Sequence, residues 1–150
     1  MLKVYDFTGS GNGYKVWLLL RHLQQRGVRE IRAYPVREEM ACVDTHAVLF
    51  TFGADHRGVQ RGAEGLCIDA QGDLVAVAGW RHGGPGPAVY VLSPTGLVRA
   101  MHALPEDVPV CCAFGEDDSL YVGTAAGHLL RARGTGRTGH VVHAGPGASK

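Results

Sequence analysis

The side chains that could do chemistry in this chain are few and scattered. Within the stretch 53–62, Asp55, His56, Arg57 and Arg61 place an acid, an imidazole and two guanidiniums in one polar loop. Such a set can meet the hydroxyls or the carboxylate of a small substrate; a loop that is simply solvated accounts for the same residues. Ser10 and Asn12 stand in the glycine loop Thr8-Gly9-Ser10-Gly11-Asn12-Gly13, just before an apolar helical stretch that either could cap. Cys42, Cys67, Cys111 and Cys112 offer no CxxC spacing, and the adjacent Cys111-Cys112 lies inside an apolar run. They read as reduced core residues, where thiols behave as small hydrophobes. Asp69, Asp73, Asp117 and Asp118 fall in turns, where an aspartate bonds its own backbone. Arg81 and His82, in a glycine-rich hairpin after Trp80, read as surface.

Charge narrows the partners. Lys and Arg number 15 against 14 Asp and Glu, spread without blocks. There is no electrostatic case for nucleic acid or an anionic membrane, which leaves a small molecule or a protein. Residues 1–7 alternate polar and apolar, and the longest early apolar stretch, residues 16–20, is too short for a signal-peptide core or a span. The expectation is a cytoplasmic protein. A length of 150 residues suits one domain, provided that the chain supplies all its own packing partners.

The elements that must position these residues follow from periodicity. Residues 2–7 alternate as a strand, residues 8–13 form the glycine loop, and residues 14–25 carry Val16, Leu19, Leu20 and Leu23 at helical spacing, with Gly27 as a stop. The opening unit, residues 1–28, is therefore strand, loop, helix. From about residue 29 the pattern becomes short β-rich runs: 30–36, 47–52, 66–68, 74–78, 88–92, 97–103, 110–114, 120–123, 128–133 and 139–143. Turns at 70–73, 93–96, 116–119 and 133–136 separate several of them. The 22 glycines punctuate these runs, as many tight turns require.

Internal repetition decides how the strands are organised. The stretch Leu66-Cys67-Ile68-Asp69-Ala70-Gln71-Gly72-Asp73-Leu74-Val75-Ala76-Val77 matches residues 112–123 at an offset of 46. Val89-Tyr90-Val91-Leu92-Ser93-Pro94-Thr95-Gly96 matches residues 129–136 at an offset of 40. A four-stranded propeller blade has this period. Residues 29–150 are thus predicted to be mainly β, a partial β-propeller of about two and a half four-stranded blades following the N-terminal unit. Residues 31–36 and 48–52 then serve as outer strands of a preceding blade. A β-sandwich with chance similarity between hairpins is the competing architecture.

Residues 29–146 resemble the later blades of the SMP-30/gluconolactonase family. The resemblance rests on Gly62-Ala63-Glu64-Gly65-Leu66-Cys67-Ile68-Asp69 with Gly72-Asp73-Leu74, then residues 89–96, 109–115 and 119–124, in that order. It implies a six-bladed ring that holds a divalent cation, calcium or alternatively zinc, and opens sugar lactones by metal-assisted hydrolysis. Glu64 aligns with the family's Asp-Gly at the head of an inner strand, which makes it the metal ligand and catalytic carboxylate carried over. Asp55, His56, Arg57 and Arg61 then become candidates for sugar recognition at the channel mouth. Two departures stand out: Glu64 has a longer arm than aspartate, and Cys111 sits where relatives often carry Asn or Ser. The ligands of earlier blades have no counterpart here.

Residues 1–25 resemble the start of bacterial glutathione transferases, a thioredoxin-like opening. In that family a Ser, Thr or Asn in this loop stabilises the glutathione thiolate, and the matching positions are Ser10 and Asn12. Residues 29–36 parse either as that fold's second strand or as a propeller strand. Three functional expectations follow. One is a metal-dependent sugar-lactone hydrolase, truncated and weakly active or inactive alone. Another is a non-catalytic piece that completes its propeller as a homo-oligomer or with a complementing chain. The third is a glutathione-binding remnant.

Overall fold

A computed structural model describes residues 29–33, 36–37, 42–43 and 47–140. The expected N-terminal strand, loop and helix, with Ser10 and Asn12, lies outside the described residues. Every described element is a strand: β1 (Arg29–Ala33), β2 (Val36–Arg37), β3 (Cys42–Val43), β4 (Ala47–Phe52), β5 (Ala54–Asp55), β6 (Gly58–Val59), β7 (Ala63–Ile68), β8 (Leu74–Trp80), β9 (Gly83–Leu92), β10 (Val98–Ala103), β11 (Pro109–Phe114), β12 (Leu120–Thr124) and β13 (Leu129–Ala132). Among the described residues no helix is long and apolar enough to cross a membrane.

One blade is complete. Strands β7, β8, β9 and β10 form an antiparallel meander, each hydrogen-bonded to its sequence neighbour. Strands β11, β12 and β13 form the next sheet in the same way, and β1 pairs with β4 on the preceding side. The repeat at an offset of 46 therefore marks equivalent inner and second strands, and the consecutive meander order is that of propeller blades.

Alternation along the strands explains the stacking. In β8 and β9 the even-numbered Leu74, Ala76, Ala78, Ala88, Tyr90 and Leu92 face one way, packing with Ile31 and Phe52 of the preceding pair. The odd-numbered Val75, Val77, Val89 and Val91 face the other way, onto Leu120 and Val122 of the following sheet. The central sheet is apolar on both faces because it is covered on both. An edge-to-face contact between Phe52 and Tyr90, with ring centroids 5.3 Å apart, knits the first interface.

The strand boundaries differ most from the sequence reading at β9 and beyond β13. Strand β9 starts at Gly83, inside the glycine run that reads as a hairpin, because the β5–β6 hairpin lies directly over it. A Cβ on Gly83 would meet the Val59 carbonyl oxygen at 2.4 Å, and one on Gly84 would meet the Gln60 side chain at 2.8 Å. These glycines serve close approach as well as turning. Beyond β13 the chain adds no fourth strand to its own sheet among the described residues. It crosses back to the free edge of β7, where Asp69 and Gly139 form an isolated bridge and the His140 N–H donates to the Ile68 carbonyl at 2.9 Å. An unpaired strand edge is thereby covered at its C-terminal end.

Candidate functional site

The residues with chemical potential gather at one end of the sheets. The head of β7, the β8–β9 turn and the β10–β11 connection meet there. Ala63 pairs with Ala78, Trp80 with Gly83, the Arg81 N–H donates to Asp107 Oδ1 at 3.0 Å, and the Ala125 N–H donates to the Val108 carbonyl at 2.9 Å.

Glu64 sits in a β-bulge. The register between β7 and β8 shifts between Ala63 and Gly65, so Glu64 has no opposing residue in the ladder. Bulges re-aim a side chain and end regular pairing. The same irregularity recurs in β11 between Pro109 and Cys111, at the position equivalent to Glu64 by the repeat. Gly65 marks the closest approach of the two inner strands: a Cβ there would lie 2.6 Å from the Cys111 Cα and 3.0 Å from the Val110 carbonyl oxygen. Only glycine lets β7 and β11 converge so tightly beside the carboxylate.

The structure brings Arg61 to Glu64. Its Nε donates to Glu64 Oε1 at 2.9 Å, with both side chains partly exposed. Asp55 and Arg57 instead engage each other across the β5–β6 turn: Asp55 Oδ1 accepts the Arg57 backbone N–H at 2.8 Å, and Oδ2 accepts Nη2 at 2.9 Å and Nε at 3.1 Å. The guanidinium beside it holds the Asp55 carboxyl below the usual carboxylate range. Arg57 also reaches over to the Gly84 carbonyl and ties the hairpin to β9. His56 is exposed at the hairpin's tip. The polar loop thus splits into a self-paired hairpin and the Arg61–Glu64 pair.

Residues with no signal in the sequence complete this end. Gln60 is buried, and its Nε2 donates to the Tyr90 hydroxyl at 2.9 Å while its Oε1 has no partner among the described residues. Asp107 Oδ1 also accepts the Val108 N–H at 2.9 Å, and Val108 has φ +49°, rare for a β-branched residue. Trp80 donates to the Val59 carbonyl at 3.4 Å and stacks edge-on against His82, ring centroids 5.5 Å apart. His82 and Arg81 are exposed, as the sequence reading has them.

At the opposite end Asp69 and Asp117 act as the turn reading expects, and do more, whereas the Asp73 carboxylate takes Arg99 and Arg137 instead. Asp69 is fully buried, and its Oδ1 accepts the Gln71 N–H at 3.0 Å and the Asp73 N–H at 2.8 Å. Arg137, beyond β13, pairs with Asp69 and with Asp73, the latter at 3.0 Å, so one blade's exit segment clamps the previous blade's turn. Asp117 accepts the Ser119 N–H at 3.1 Å and pairs with Arg131 at 2.5 Å. The cysteines divide. Cys67 and Cys112 pack against the core, whereas Cys111 is exposed, because neighbouring strand residues point to opposite faces.

Among the described residues no group of three or more His, Cys, Asp or Glu is placed to hold a metal ion. Calcium takes six to eight oxygens, of which one carboxylate supplies one or two, and the Cys111 thiol is a soft donor ill-suited to it. The described residues therefore do not make a cation site by themselves.

A four-stranded meander stacked on a three-stranded one, each with a bulged inner strand, is the arrangement of β-propeller blades. The chain matches the family described as SMP-30/Gluconolactonase/LRE-like region over residues 27–126, about two thirds of its length, and belongs to that family. No curated protein matches it.

Proposed function

We propose that this chain is a propeller unit of a sugar-lactone hydrolase in which Glu64 supplies the reacting carboxylate. The observation that carries the reading is the setting of Glu64, in a bulge at the head of an inner strand, beside the glycine where two blades converge. In this reading Glu64 accepts the proton of a water that adds to the lactone carbonyl. The ring C–O bond then breaks, and the ring oxygen takes a proton and leaves as a hydroxyl, giving the open hydroxy acid. Arg61 orients the carboxylate from 2.9 Å, and the rigid Asp55–Arg57 hairpin presents His56 toward the sugar's hydroxyls. The divalent cation that family membership suggests, calcium or zinc, needs more oxygens than Glu64 supplies, and with that carboxylate as its one protein ligand the reaction is slow.

The test is hydrolysis of gluconolactone above the uncatalysed rate, with calcium or zinc added, for the native chain and Glu64→Ala. Loss of a general base should cost about 10²-fold or more. Equal rates in both chains, or no rate in either, would overturn the reading.

A second reading is favoured by apolar side chains left exposed on and beside the edge strands β10 and β13. Leu129 on β13 and Leu97 beside β10 are each 71% exposed, and Met101 on β10 is 49% exposed. Large exposed apolar side chains along sheet edges suit a second copy or a complementing chain. Light scattering should then report a dimer or larger. A stable monomer that unfolds cooperatively would count against it.

A further inference from the structure

Two thiols from successive blades meet between the sheets. Cys67 of β7 and Cys112 of β11 lie with their sulfurs 3.6 Å apart, both partly buried, and Cys112 can also donate to the Val75 carbonyl at 3.6 Å. They belong to different sheets, so a bond between them would join one blade to the next. We propose that Cys67 and Cys112 are a redox modification site that forms a reversible disulfide by exchange with a low-molecular-weight disulfide.

The geometry asks for little movement. A disulfide needs a sulfur separation of about 2 Å, so the two atoms close by about 1.5 Å. The strands that carry them already touch at Gly65 and Cys111. Chemistry favours Cys67 as the attacking group, since the hydrogen bond from Cys112 lowers its pKa, whereas Cys112, as that donor and through burial, is raised. The Cys67 thiolate attacks one sulfur of the small disulfide and expels one small thiolate, leaving a mixed disulfide. Cys112, losing its proton to solvent, then attacks the Cys67 sulfur and expels the second. The protein's two thiols are oxidised and the small disulfide is reduced to two thiols.

The bond would fix the spacing of the inner strands, with Glu64 three residues before Cys67 on the same strand. Because the crosslink spans 45 positions, it also removes freedom from the unfolded chain.

The experiment treats the folded full chain with oxidised glutathione, blocks the remaining thiols with N-ethylmaleimide, and maps peptides without reduction. The expected result is a Cys67–Cys112 crosslink, assigned by fragmentation, with alkylatable thiols falling from four to two per chain. Dithiothreitol should reverse it, and the melting temperature of the crosslinked form should rise by about 10 °C. Cys111→Ser should keep the crosslink, and Cys112→Ser should trap glutathione on Cys67. Full alkylation of both cysteines after oxidation, a crosslink through Cys42 or Cys111, or a stable glutathione adduct on Cys67 or Cys112 of the native chain would each overturn the proposal. The mapping of the native chain decides the matter without any variant.

Discussion

Replacing Gly65 by alanine should separate the two inner strands and cost the protein measurable stability. The added Cβ would stand 2.6 Å from the Cys111 Cα and 3.0 Å from both the Cys111 carbonyl carbon and the Val110 oxygen. All three are backbone atoms, so no side chain can swing aside. Ordinary carbon contacts begin near 3.5 Å, and β11 would have to retreat by about 1 Å along the interface that buries Val75, Val77, Leu120 and Val122. Overpacking of this kind costs about 1–3 kcal/mol, and alanine recovers about 0.4–1 kcal/mol by restricting the unfolded chain. The net expectation is a loss of about 1.3 kcal/mol, or a fall in melting temperature of about 3–5 °C for a chain of this size. Gly53 provides the control: it is exposed, a Cβ there meets nothing within 4 Å, and its backbone is outside the left-handed region. Urea unfolding followed by circular dichroism should place Gly53→Ala at or slightly above the native midpoint and Gly65→Ala well below it. If the two variants unfold together, β7 and β11 do not converge as described and the blade stacking is wrong.

Other outcomes follow from the polar contacts. Arg137→Met keeps the aliphatic stem but removes the cation shared by buried Asp69 and Asp73; because Asp69 retains two backbone donors and Asp73 retains Arg99, the loss should be about 2 kcal/mol in urea unfolding, below the full cost of orphaning a buried charge. Acid should loosen both exposed turn pairs. Ser119 and Arg131 hold Asp117 low, and Arg57 holds Asp55 low, so each contributes stability above the unfolded carboxylate value of 3.8 that fades as pH falls through its lower folded value. Carboxyl-carbon NMR titration should give midpoints below 3.8 for both, and Arg57→Gln should return Asp55 toward it.

Much of the blade was legible in the sequence because it is written twice. The offset of 46 located β7 with β8 and β11 with β12, and even the bulge repeats, at Glu64 and at Val110. The bridge from Gly139 to Asp69 was not legible, since a one-residue contact has no period. Nor was the cover that the β5–β6 hairpin places on Gly83 and Gly84, where the sequence shows only turn formers. Within the site, residue types marked Asp55, Arg57 and Arg61, and the family resemblance marked Glu64, but neither marked their partners: Asp55 takes Arg57 and Arg61 takes Glu64. Cys67 and Cys112 are not equivalent by the repeat, so their meeting follows only from how successive sheets stack.

The central claim is that Glu64 carries the chemistry expected of this family, and one comparison tests it most directly. The rate of gluconolactone opening with saturating calcium or zinc should be measured for the native chain and for Glu64→Gln, which keeps the shape and can still accept from Arg61. The account predicts metal-stimulated turnover in the native chain that drops about 10²-fold or more in the variant, with an unchanged unfolding midpoint. Equal turnover in the two chains would contradict it.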